Sequence, residues 1–156
     1  MIQIIPRYVI IIIFLFSCLD DTDDDTFTTT GGDTSTTTGG DAFPVNILFG
    51  SVSDTLIEIL INTPYDIAGF QFDISNVILS DASGGLAEEA GFNVSTGEST
   101  VLGVSFVGNV IPAGSNGVLT NLSYTATASE FCIDGVVLSN PDANAINYEL
   151  GDCIEY

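Results

Sequence analysis

Between Ala68 and Ser75 large apolar and polar residues alternate, with Phe70, Phe72 and Ile74 set against Gln71, Asp73 and Ser75. Successive side chains on a strand point to opposite faces, so a period of two gathers the three apolar groups on one side. The other side receives an amide, a carboxylate and a hydroxyl, which water solvates. The stretch reads as a strand with one buried and one wet face, as in an antiparallel sheet packed on a single side.

The same alternation recurs from residue 43 onward. Val45–Phe49 reads as a short strand and Gly50–Asp54 as a turn. Thr55–Asn62 places Ile57, Ile59 and Ile61 on one face and Leu56, Glu58 and Leu60 on the other, so it is a central or covered strand. Thr63-Pro64-Tyr65-Asp66 is a turn in which proline fixes φ at the second position. Val77–Ser80 is a short or edge strand. A helical turn fits only around Leu86–Ala90, held short by Gly84-Gly85 and Gly91. Phe92–Ser95, Thr100–Val107 and Gly117–Ala126 follow as strands. Leu102, Val104 and Phe106 are expected inward in the second of these, and Val118, Leu122 and Tyr124 in the third. Phe131–Ser139 and Ala145–Leu150 complete the set, the latter with Ile146, Tyr148 and Leu150 alternating against Asn147 and Glu149. Tyr124 and Tyr148 are expected in the core.

Eight or nine short strands, punctuated by Gly, Pro, Asn and Asp with no long helix between them, exclude parallel βαβ units. They predict an all-β fold, an antiparallel sandwich or barrel over residues 43–156, and of the two an antiparallel two-sheet β-sandwich is preferred. Two packed sheets suit a segment of this length in which many strands bury one face only.

The residues before 43 follow other patterns. Tyr8–Phe16 is an unbroken apolar run preceded by Arg7 and followed by Ser17 and Cys18. It is shorter than the roughly 20 apolar residues of a spanning helix and reads as a signal peptide over residues 1–17. Leu15-Phe16-Ser17-Cys18 resembles a bacterial lipobox, which implies cleavage before Cys18 and lipidation of its sulfur. Ordinary signal-peptidase cleavage nearby, with Cys18 lost or left free, is the alternative. Asp20, Asp21, Asp23, Asp24 and Asp25 resemble the surface-export signal of Bacteroidetes lipoproteins, and fit a solvated acidic linker equally well. The hexapeptide TTTGGD occurs at Thr28–Asp33 and again at Thr36–Asp41. Such a segment has little to bury, so residues 18–42 read as a flexible tether.

Charge narrows the partners. Of 156 residues, 21 are acidic and one, Arg7, is basic, with no Lys or His. All the acids follow Leu19, so removal of residues 1–17 leaves a formal charge of 0 − 21 = −21. Nucleic acid is excluded as a partner, because phosphate binding requires Lys and Arg. A bare anionic membrane is disfavoured on the same ground, leaving membrane attachment only through an N-terminal lipid. The acids must be solvated, hydrogen-bonded or neutralised by cations.

The cysteines number three. If Cys18 carries lipid, Cys132 and Cys153 remain as a disulfide pair. In a hairpin of the Phe131 and Ile146 strands with aligned ends they would lie side by side, and an oxidising compartment favours the bond over two free thiols.

Thr63-Pro64-Tyr65-Asp66-Ile67-Ala68-Gly69-Phe70-Gln71-Phe72-Asp73-Ile74, followed by Gly114-Ser115-Asn116-Gly117-Val118-Leu119-Thr120-Asn121-Leu122-Ser123-Tyr124, resembles a cohesin-type domain. The resemblance covers about Phe43 to Leu150. It implies a jelly-roll sandwich related to cellulose-binding modules. It also implies non-catalytic work: docking a dockerin-like or other extracellular protein, or attaching to a polysaccharide.

No nucleophile–base arrangement stands out. Without His or Lys the general bases reduce to carboxylates. Glu88, Glu89 and Glu98 do not define a pair held across a cleft, as a glycosidase requires. Gly31-Gly32, Gly39-Gly40 and Gly84-Gly85 lack phosphate-loop spacing. Ca²⁺ takes oxygen ligands, and Asn140-Pro141-Asp142-Ala143-Asn144 offers Asn140, Asp142 and Asn144 at alternating positions, with Asp81-Ala82-Ser83 a weaker set. The same residue types also suit a plain turn. Tyr65 is the candidate exposed aromatic for a sugar ligand. Asn93-Val94-Ser95 and Asn121-Leu122-Ser123 are glycosylation sequons. The expected protein is therefore an exported, cell-surface or secreted binding module and not an enzyme. A carbohydrate-binding module and a structural subunit of a surface layer or fibre are the alternatives.

Overall fold

The computed structural model describes residues 43–155. The expected signal peptide, the lipidation of Cys18 and the tether lie outside the described residues. Eleven strands and one short helix follow in order: β1 (Val45–Ser53), β2 (Leu56–Asn62), β3 (Gly69–Ile74), β4 (Val77–Ser83), α1 (Gly85–Glu89), β5 (Asn93–Thr96), β6 (Thr100–Val104), β7 (Asn116–Ala126), β8 (Glu130–Phe131), β9 (Ile133–Ser139), β10 (Tyr148–Leu150) and β11 (Ile154–Glu155). They form a five-stranded sheet ordered β10-β1-β2-β7-β4, a four-stranded sheet ordered β5-β6-β3-β9, and a two-stranded ladder of β8 and β11.

Between the two large sheets lies one core. Ile57, Ile59 and Ile61 of β2 are buried, as their alternation requires, and face Phe70, Phe72 and Ile74 of β3. The Phe70 ring stacks on Phe72 and on Phe92, with centroids 6.1 and 5.9 Å apart. Tyr124 meets Phe131 edge to face at 5.4 Å, and its hydroxyl donates to the Ser53 carbonyl at 2.8 Å. A buried phenol thus keeps a partner for its one polar atom.

The turn at residues 63–66 is tied to the loop before β7. Thr63 is fully buried. Its Oγ1 accepts the Tyr65 amide at 3.1 Å and donates to the Tyr65 carbonyl at 2.7 Å. Its own carbonyl accepts the Gly114 amide, and Asp66 Oδ1 accepts the Ala113 amide at 2.8 Å. The two stretches that carry the cohesin resemblance therefore meet in space.

Several expectations are corrected. β1 runs through the predicted turn at residues 50–53, bulging between Phe49 and Val52. The sandwich is not wholly antiparallel, because β10 joins the edge of β1 in parallel. That register sets Tyr148 beside Val45 and Leu150 beside Ile47 on an edge strand. Tyr148 accordingly stays 39% exposed rather than entering the core. In β6 the inward set is Val101 and Gly103, not Leu102, Val104 and Phe106. Antiparallel pairing puts Phe70 opposite Gly103 and Phe72 opposite Val101, so those four share the core face. A Cβ on Gly103 would lie 2.1 Å from Phe70 Cζ, so the ring occupies the space that the glycine leaves open. In β7 the register shifts opposite Ile59 and Leu60, making Leu119 an extra residue, and Leu119 and Thr120 are both buried. A bulge of this kind switches the face that later residues take, so Leu122 and Tyr124 are buried while Val118 is only half-buried.

Cys132 and Cys153 are joined by a disulfide with Cα atoms 4.4 Å apart. The geometry differs from the expected hairpin, since β9 and β10 belong to different sheets. Phe131 pairs with Ile154 and Glu130 with Glu155, so the bond forms the next rung of the β8–β11 ladder.

Replacing both cysteines by serine, or reducing the bond, is expected to lower stability by about 3 kcal/mol for a closed loop of this length, measured by urea unfolding. Gly103→Ala is expected to cost about 1–3 kcal/mol or more through overpacking against Phe70, read as a lower urea midpoint at constant m.

Candidate binding face

The outer face of the four-stranded sheet is set by the register of its strands. One row runs Ser95, Leu102, Gln71, Val137 across β5, β6, β3 and β9. A second row, toward the end of β6, runs Asn93, Val104, Gly69, Ser139. A third carries Thr100, Asp73 and Asp134. Leu102 is 38% and Val137 56% exposed, flanking Gln71. Beyond the end of β6, Phe106 and Val107 are 80% and 78% exposed on the loop leading toward Ile111. Ser105 Oγ accepts the Asn109 amide, and Asn109 Nδ2 donates to the Ala90 carbonyl at 2.9 Å, which ties this loop to the end of α1.

Asp73 is fixed from two sides. Thr100 Oγ1 donates to its Oδ1. Beneath it, β9 bulges at Gly135, whose φ is +58° and where a Cβ would lie 2.7 Å from Asp73 Oδ2. Only glycine satisfies both the backbone angle and the close approach. Asp134, next in the chain, is exposed and sits directly opposite Asp73.

The sequence-based candidates fall elsewhere. Asn140, Asp142 and Asn144 share one exposed turn after β9. Asn140 Oδ1 accepts the Asp142 amide at 3.1 Å and the Asn144 amide at 2.9 Å, and the Ala143 φ is +61°. That oxygen therefore serves the backbone of its own turn. Tyr65 is half-buried and packs against the core. Glu88 Oε2 accepts the Gly84 amide at the start of its own helix. The shallow groove of about 240 Å³ beside α1 is lined by Ser83, Glu88, Phe92 and Asn93 among others, and holds that single carboxylate. Among the described residues no helix is long and apolar enough to cross a membrane.

Leu102, expected inward from its sequence, faces outward with Val137. The signal for β6 was Gly103 itself, since a glycine inside a strand marks a close approach from the facing layer. For β9 it was Asp134-Gly135, a bulge-forming pair interrupting the alternation.

This architecture is that of a cohesin-like β-sandwich. Similar solved structures include a non-cellulosomal cohesin from Archaeoglobus fulgidus, with TM-score 0.51, 15% identity and coverage of 69% of this chain and 86% of that one. The OlpA cohesin of Clostridium thermocellum, in a type I cohesin–dockerin complex, gives TM-score 0.54 at 14% identity over 72% of this chain and 99% of that one. The third cohesin of ScaC from Acetivibrio cellulolyticus, in complex with the ScaB dockerin, gives TM-score 0.53 at 13% identity over 71% and 97%. No protein-family model and no curated protein matches the chain.

Asn140→Ala removes the acceptor of two backbone amides and is expected to cost about 1 kcal/mol, measured by thermal or urea unfolding.

Proposed function

We propose that residues 43–155 are a non-catalytic protein-binding module whose partner docks on the outer face of the four-stranded sheet. The observation that carries this reading is the row in which exposed Leu102 and Val137 flank the half-buried Gln71 on the outer face of the sheet. Exposed apolar side chains set among polar neighbours fit a protein partner. None of the three rows contains an aromatic side chain on which a sugar ring would stack, and the exposed Phe106 lies beyond them on the loop after β6. The cohesins of similar fold that were solved with dockerins make a dockerin-type module the first partner to test. Export and surface display through a lipid on Cys18, with residues 18–42 as the spacer, complete the proposal. The Tyr8–Phe16 run and the acidic Thr/Gly/Asp-rich stretch support it.

A panel of calcium-loaded dockerins immobilised on a biosensor tests the reading. At least one is expected to bind the chain. Leu102→Asp and Val137→Asp are each expected to weaken that binding by about a hundredfold, as loss of a central contact does, while shifting the melting temperature little. Absence of binding across the panel, or binding untouched by both substitutions, would overturn the proposal.

A further inference from the structure

We propose that Cys132, Cys153, Glu130 and Glu155 form a redox-gated zinc site, masked while the disulfide is intact and opened to one Zn²⁺ ion when that bond is reduced. The site lies on the two-stranded ladder of β8 and β11 and does not depend on the docking face proposed above.

Strand register brings the four donors together. Glu130 pairs with Glu155 and Phe131 with Ile154, and Cys132 and Cys153 form the next rung. Side chains two apart on a strand share a face, which sets Glu130 and Cys132 beside Glu155 and Cys153 on one side of the ladder. The fully buried Phe131 and half-buried Ile154 take the other side. Both glutamates and Cys153 are exposed and Cys132 is half-buried, so an ion can reach them. A carboxylate oxygen of Glu130 and the two sulfurs already lie within 4.8 Å of one another. Glu155, directly opposite Glu130, would bring the fourth donor from across the ladder. Two thiolates and two carboxylates suit tetrahedral Zn²⁺, whereas Ca²⁺ and Mg²⁺ take oxygen ligands throughout. Residues 43–155 contain no Lys, Arg or His, so no basic side chain of the described domain competes for the two glutamates.

Reduction leaves the donors held. The Cys132 amide donates to Ser75 Oγ at 2.9 Å, the Cys132 carbonyl accepts the Ser75 amide, and the Glu130 carbonyl accepts Asn76 Nδ2 at 2.8 Å. On the other strand, the Gly151 amide donates to the Ile47 carbonyl and β11 keeps its pairing with β8. The S–S bond opens by taking two electrons and two protons from a dithiol, which itself closes to a disulfide. The two thiols then release their protons as the metal binds. Zn–S bonds of about 2.3 Å hold two sulfurs roughly 3.8 Å apart, a separation that facing cysteines with Cα atoms 4.4 Å apart reach by side-chain rotation.

The test uses the full chain with Cys18→Ser, so that the third cysteine supplies no thiolate. The chain is reduced with a phosphine, freed of it without air, and titrated with Co²⁺ as a spectroscopic stand-in for zinc. A single equivalent is expected to give thiolate-to-cobalt charge-transfer absorption and the visible bands of a tetrahedral ion, and Zn²⁺ is expected to displace it. The oxidised chain is expected to give neither. E130Q and E155Q are each expected to weaken zinc binding by about tenfold or more, read by competition with a chromophoric chelator. Both replace exposed residues, so neither variant puts folding at risk. Zn²⁺ is also expected to raise the melting temperature of the reduced chain and to leave that of the oxidised chain unchanged, because only binding to the folded state stabilises it. This readout separates an assembled site from thiols that capture metal in an unfolded chain. A missing charge-transfer band, zinc affinity that both glutamine variants leave unchanged, or binding without a rise in melting temperature would overturn the proposal.

Discussion

The contact between the Phe70 ring and the bare Cα of Gly103 sets the orientation of the four-stranded sheet. Phe70 is the central member of a stack with Phe72 and Phe92, and it fills space that any side chain at position 103 would claim. Once the ring is seated there, cross-strand pairing sends Val101 inward and Leu102 outward. Gln71 and Val137 share the outer face with Leu102 by register. A packing event inside the sandwich thereby decides which apolar side chain is offered to solvent on its outside.

Two glycine-dependent irregularities then shape that face. Gly103 permits the close approach of β6 to Phe70, and Gly135 permits β9 to bulge beneath Asp73. The first places leucine outside. The second leaves Asp134 and Asp73 abreast at the rim. Around them the fold is secured by local devices. Thr63 and Asp66 bind the turn before β3 to the loop before β7, and the Cys132–Cys153 bond adds a covalent rung to the β8–β11 ladder.

The absence of basic residues from the described domain gives the surface a single sign of charge. Internal ion pairs between side chains are therefore unavailable, and cohesion depends on apolar burial, backbone hydrogen bonding and the disulfide. The same imbalance opposes self-association. Charge and shape thus act on different questions, with packing fixing which residues the sheet exposes and composition fixing the sign of the surface charge.

Strands such as β2 and β3 were legible in the sequence because their side-chain alternation is regular and each buries one face. The short α1 was legible because glycines bound it, and the sandwich class followed from many short strands with no long helix. The pairing partner of Cys132 could be named from cysteine arithmetic, although its place in a β8–β11 ladder could not. What failed were phases and faces. In β6 every residue from Val101 to Val104 is apolar or glycine, so alternation could not choose a side, and the choice fell to Phe70 in another strand. In β7 the extra residue Leu119 switched the pattern, and on β10 Tyr148 followed the expected alternation yet stayed exposed because its strand lies at an edge. The sequence by itself determined the class of fold, the strands with strict alternation and the charge that any partner must answer. Only the tertiary structure decided which side of each ambiguous strand faces water, because that depends on contacts between residues far apart in the chain.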